Sequence, residues 1–269
     1  MAIIFSIIGL IVIAIIVGKV VSSIQFNKEV KTLFSQSENS ENIFSYSQLQ
    51  SLPEPVQRYF RHVIKEGQPY VSYARLTHNG QFKTAPGKNW VNIKGEQYFT
   101  TVKPGFIWKG STSVFTANDQ YISNRGKLTI SLFSVFKIAG GEGEKYDQGE
   151  LLRWLAESVW FPTNLLPNEN LQWKPVDMHH AHLVFTYKGL SLQYLVTFND
   201  KDEIAQLETK RYMNEKSLET WIGKVSDYGV KNGMMIPFSI EAIYKLKEGD
   251  YSYAKFKVMK IEYNVPERF

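Results

Sequence analysis

Three charged side chains interrupt an otherwise apolar stretch, GELLRWLAESVWFPTNLLP, at residues 149–167. Glu150, Arg153 and Glu157 stand at i, i+3 and i+7, which on a helix is one narrow stripe. Two carboxylates and a guanidinium so placed could do acid–base work, with Arg153 orienting an anionic substrate. The same spacing also makes local Glu–Arg pairs on a wet helix face, each worth roughly a few tenths of a kcal/mol. Pairs of the second kind are routine on helices, so the stripe reads as the wet edge of a helix lying over something apolar. The other positions, Leu151, Leu152, Trp154, Leu155, Ala156, Val159, Trp160 and Phe161, cover most of the circumference and require burial on more than one side. Such a helix can act as a lid over an apolar cavity.

Other chemistry-bearing residues are weaker candidates. In MHHAHL, His180 and His182 would share one face of a strand and His179 the other. A metal would need further ligands, and only Asp177 is near, so the trio reads as a solvated hairpin end and no metal is expected. The stretch AGGEGEKYDQG lacks the Gly-Lys-Ser/Thr ending of a phosphate loop, and its acids would repel phosphate. It is expected to be a flexible connection and a hinge for the lid. There is no Gly-x-Ser-x-Gly elbow and no His-Glu-x-x-His. No cofactor and no catalytic set is assigned, and the reading leans away from an enzyme.

The elements that must carry these residues follow from pattern. Val56, Tyr59, Phe60, Val63 and Ile64 make one apolar helical stripe, with Pro53 and Pro55 at its start and Gly67 at its end, which predicts a helix near 53–66 that packs on a sheet. A second helix is expected near 148–161. Most of the remainder alternates in period two, with turn signals at Lys188-Gly189, Asn199-Asp200, Asn232-Gly233 and Gly249-Asp250, and a turn or bulge at Asn79-Gly80. No βαβ alternation is visible. The fold class expected is α+β and mainly antiparallel: an open, unclosed β-barrel or strongly curved sheet with capping helices.

Bulk properties narrow the function classes. The chain has 269 residues, 43% hydrophobic and 14% aromatic, and no cysteine, which removes disulfide, zinc-thiolate and thiol-nucleophile chemistry. Net charge is +5, but its basic residues are scattered among acids, so nucleic-acid binding is not expected. Residues 1–18 carry no charged side chain. With no basic residue before the run and no following Cys, this segment reads as an uncleaved single-pass anchor over 1–22. Lys19, Lys28 and Lys31 follow it and favour a cytoplasmic domain, though the side is left open. Residues 23–50 read as a polar spacer and 51–269 as one β-rich domain.

Three segments, SLPEPVQRYFRHV, QGELLRWLAESVWFPTNLLP and SDYGVKNGMMIPFSIEA, together resemble an uncharacterised bacterial family of membrane-anchored proteins, over about Leu52 to Asn264. In architecture the chain is also similar to the Lol-type lipoprotein-carrier superfamily, through the mid-chain lid helix and the Tyr-x-x-x-x-Gly-x-x-x-Pro pattern from Tyr228 to Pro237. That resemblance implies an unclosed barrel binding acyl chains in its concave face. It departs from the carriers in having an anchor instead of a cleaved signal, and in offering no assignable arginine that holds the helix. The expectation is a membrane-tethered binding domain for a lipid or lipid-modified ligand. Trp154, Leu155, Trp160 and Phe161 would form the lid, and Met234, Ile236 and Phe238 the wall, Met being suited to adaptable apolar cavities. Alternatives are a scaffold binding a protein through an exposed strand edge, or a hydrolase-type enzyme using Glu150 and Glu157.

Overall fold

Alternation in period two becomes one long antiparallel sheet. The computed structural model describes residues 2–214 and 216–269, the side chains of residues 2–4, 6–8, 10 and 11 excepted. Helices α1 (Ala2–Ser35) and α2 (Glu54–Val63) precede six strands: β1 (Tyr73–Phe82), β2 (Val91–Thr100), β3 (Gly105–Ser111), β4 (Phe115–Ile122), β5 (Arg125–Leu132) and β6 (Phe136–Glu142). Helix α3 (Glu144–Glu157) and two short 3-10 turns follow. Seven more strands complete the chain: β7 (Leu171–Pro175), β8 (His180–Tyr187), β9 (Leu190–Phe198), β10 (Ile204–Tyr212), β11 (Leu218–Lys231), β12 (Met234–Leu246) and β13 (Gly249–Tyr263). The order across the sheet is β6-β5-β4-β3-β2-β1-β13-β12-β11-β10-β9-β8-β7. The first strand therefore pairs with the last, and the two free edges come from the middle of the chain.

This is the mainly antiparallel, unclosed sheet with helices that the pattern implied. Helix α3 joins the two edge strands and touches β3 to β6 on one side and β9 and β10 on the other. The sheet curls round it. Helix α2 seats its buried stripe, Val56, Tyr59, Phe60 and Val63, against β8 and β12. Arg58, on its other side, binds Asp202 at 2.8 Å and the Met178 carbonyl at 2.7 Å.

Several expectations are corrected. AGGEGEKYDQG is not a loop: β6 runs to Glu142, Gly143 alone is the connection, and α3 starts at Glu144. Gly143 has φ +115°, a conformation that costs glycine nothing and L-residues a great deal. Asn79-Gly80 forms no turn; β1 is continuous there, and the irregularity in its pairing with β13 falls between Thr77 and His78. The expected spacer, 23–50, holds the end of α1, whose Phe26, Val30, Leu33 and Phe34 pack on Tyr73, Tyr98 and Ile107, a cluster separate from the main core. Among the described residues no helix is long and apolar enough to cross a membrane. The transmembrane span expected over 1–22 falls in part on side chains outside the described residues.

Candidate functional site

The stripe of α3 does not face water. Glu150 is 4% exposed and Glu157 8%, and the Arg153 side chain 11%. The reading of a wet edge is overturned, because the concave face supplies polar partners at matching heights. Arg153 bonds Glu157 at 3.0 Å one turn along its own helix and pairs closely with Asp119 of β4. Gln97 of β2 donates to the second oxygen of Glu157 at 2.6 Å. Arg211 of β10 approaches Glu150 at 3.7 Å from the opposite wall. The Arg153 guanidinium also lies over the rings of Phe106 and Trp108, 5.2 and 4.8 Å from their centroids, and so is held on its faces as well as its edges.

Three carboxyls thus face two guanidiniums inside the sheet. Burial disfavours charge on each acid and raises the affinity of Asp119, Glu150 and Glu157 for a proton, against the pull of the arginines. For Glu150, burial, reinforced by the charge on Asp119, pushes it up to about 8. A proton on Glu150 balances the cluster. Its Oε2 has no hydrogen-bond partner among the described residues, nor has Asp119 Oδ1.

A second polar pair extends the cluster. Trp108 Nε1 donates to Nε2 of His78 at 2.7 Å, so the imidazole is neutral with its proton on Nδ1. Burial, and then the charge on Arg153, lower its proton affinity to about 3. Gly95 lies between them on β2, and any side chain there would collide with both rings. That is the close approach a glycine inside a strand permits.

The residues expected to hold a ligand are brought together, but as filling. Trp154, Leu155, Trp160 and Phe161 are between 0 and 2% exposed. Trp154 donates to the Thr100 carbonyl at 2.9 Å and packs on Phe185; Phe161 packs on Phe99, with centroids 4.9 Å apart. Met234 and Ile236 are fully buried in the same core, with Phe238 packed against it half-buried. In this conformation α3 is a plug rather than a lid, because the curled sheet engages it from both sides.

The histidines of MHHAHL lie elsewhere. His180 bonds Asp177 at 2.8 Å and His182 meets Gln193 at 2.9 Å, both at the exposed start of β8. Two hollows open outside the charge cluster. One, of about 360 Å³, lies where β9 and β10 part, and is lined by Gln148, Leu152, Gln193 and Thr209 among others. The other, of about 740 Å³, crosses β1, β13, β12 and β11 and carries Lys224, Lys255 and Lys257.

The family of unknown function (DUF6544) matches residues 42–256. The chain belongs to that family. The match meets the expected membership of an uncharacterised family and covers both α2 and the whole α3 block of this DUF6544 chain. The crystal structure of a LolA superfamily protein, NE2245 from Nitrosomonas europaea, aligns over 80% of this chain and 92% of that one, at 9% identity and a TM-score of 0.44. Nothing about this chain is carried over from that likeness. No curated protein matches the chain.

Asp119, Arg211, Gln97 and His78 were not singled out from sequence. Asp119 stands in phase with Tyr121, and Arg211 in phase with Leu207, both buried. A charge in the buried phase of a strand was the signal available.

Proposed function

We propose that this protein is a binding domain working at a membrane surface, which shelters a hydrophobic ligand against the concave face of its unclosed sheet when α3 moves aside. The observation that carries this is the way the concave face is filled. One helix, entered through a single left-handed glycine, occupies the space between two unpaired edges. It is fastened there by an ion cluster in which not every polar atom is matched. Behind it stand Phe99, Phe106 and Phe185, and the block itself brings Trp154 and Trp160 against them, an aromatic setting suited to acyl chains. A buried ion pair contributes little net stability over apolar packing, so it serves poorly as a permanent clamp.

Native mass spectrometry with lipid extraction tests the reading, together with titration of a fluorescent fatty acid. A co-purifying lipid, or probe uptake that rises when Arg153→Met loosens α3, is the expected result. A chain that is empty and ignores the probe in both forms sinks it.

Glu150 supports a second reading, acid–base catalysis, since a carboxyl raised to about 8 beside Arg211 is what such chemistry uses. Glu150 is buried and lines neither hollow, which weighs against it. Loss of ester hydrolysis on Glu150→Gln, in a screen of lipid esters, would favour it. Pairing with a partner strand is disfavoured at the sheet edges by Lys137 and Glu142 on β6, and by Lys174 and Pro175 on β7.

A further inference from the structure

The tip of the β5–β6 hairpin is built against the rules for a turn in water. Leu132 to Val135 make a tight turn closed by the Val135 amide on the Leu132 carbonyl at 3.0 Å. Its central residues, Phe133 and Ser134, have φ +52° and +64°. Asparagine or glycine takes that left-handed conformation at least cost, whereas phenylalanine is strained by it. Nor is the ring compensated by burial, since Phe133 is 39% exposed. Around it stand Phe136 at 60%, Ile138 at 59% and Val114 at 47%, the last tied to the turn by the Phe133 amide on the Val114 carbonyl.

This patch is continuous with a second. Val135 lies so close to Gly18 of α1 that no side chain would fit there. From that crossing α1 carries Val12, Ile13, Ile16, Val17, Val20 and Val21, all about half-exposed or more. The residues before Lys19 are uncharged. Lys19 and Lys137 are exposed and flank the crossing. Strain, exposed rings, an adjoining apolar helix face and flanking lysines share one explanation, a surface that is apolar at its centre and wet at its rim with positive charge.

We propose that the β5–β6 hairpin tip inserts into the acyl layer of an anionic membrane beside the exposed face of α1. This rests on the membrane-surface part of the proposed function but not on ligand binding. Phe133 and Phe136 enter the lipid, and Lys19 and Lys137 stay at the phosphates. The orientation sets the β5–β6 hairpin tip against the bilayer, the length of β6 away from the joint at Gly143 that leads into α3.

The test uses the full chain, which has no cysteine of its own. Phe136→Cys, Val12→Cys and, as a distant control, Glu169→Cys are each labelled with an environment-sensitive dye. They are mixed with phosphatidylglycerol/phosphatidylethanolamine vesicles carrying spin-labelled acyl chains. Quenching at positions 136 and 12 but not 169 is the expected result. Quenching at 12 alone overturns the hairpin proposal and leaves the membrane reading standing. Quenching at neither overturns both. A dye at 136 that shifts with protein concentration and not with lipid assigns the patch to a second copy of the chain and overturns the proposal. Phe133→Asn relieves the turn strain, so it should keep or raise Tm while weakening vesicle binding about tenfold. Unchanged binding by that variant counts against insertion.

Discussion

Glu150 and His78 sit in one buried cluster yet give the fold opposite pH dependences. The folded-state proton affinity of Glu150 is raised from its ordinary 4.5 to about 8. Its contribution is whole below pH 4.5 and is lost as pH rises through 8. His78 is lowered to about 3, so its neutral form supports the fold above pH 6.5, and that support fades as pH falls towards 3. Stability should therefore peak between about pH 5 and 6.5. Glu150→Gln should flatten the alkaline side, raising Tm at pH 8 and leaving it nearly unchanged at pH 5, as followed by circular dichroism melts. Arg153→Met removes the guanidinium paired with Asp119 and Glu157 and leaves three carboxyls facing Arg211 alone, and urea unfolding should register a loss of roughly 3 to 5 kcal/mol. Adding Asp119→Leu and Glu157→Leu to it should recover most of that loss. If the triple variant is no better than the single, the cluster is not what determines the cost. None of this was visible in the spacing of Glu150, Arg153 and Glu157. A stripe at i, i+3, i+7 is the same stripe whether water or a second wall faces it.

Elements were more legible than their environment. Apolar periodicity located α2, and the all-round apolar run located α3 to within about four residues at each end. The glycines between β6 and α3 misled because they were read as composition, loop-like, when Gly140 and Gly141 in fact lie inside β6, where a side chain would strike the neighbouring strand or Tyr146. The polar stretch after residue 22 misled in the same way. Its Phe26, Val30, Leu33 and Phe34 fall at i, i+4, i+7, i+8, a helical stripe that Ser, Asn and Lys surround but do not erase. Replacing Phe26 and Phe34 together by Ala should undock the end of α1, since each buried ring is worth roughly 3 kcal/mol or more. Hydrogen exchange over 23–35 should then accelerate while β2 and β3 stay protected. Uniform acceleration of the whole sheet would show that α1 is part of the main cooperative unit instead.

The whole molecule is held at its centre by residues from its two ends. Ala74 faces Tyr263 and Phe82 faces Ala254, so β1 and β13 join the two halves of the sheet. Truncation after Lys247 should leave no folded remainder, because it removes a central strand and not an edge. A truncated chain with a sharp melt and native circular dichroism would contradict that. Topology of this kind is out of reach of periodicity. Alternation says that a segment is a strand, but pairing of the first strand with the last depends on the curl of the sheet and on what fills it.

A ribosome reads this chain from β1 towards β13, and that direction has a consequence. Six strands, then α3, then six more are made before the strand that unites them. Throughout that interval β1 presents a bare edge, Leu76 and His78 included, to anything else in the cell with an unsatisfied strand. Nascent chains stalled before Gly249 should be cut readily by protease and bound by chaperones, and emergence of β13 should end both at once. The time of danger for this protein is set by translation, not by the intrinsic speed of its folding.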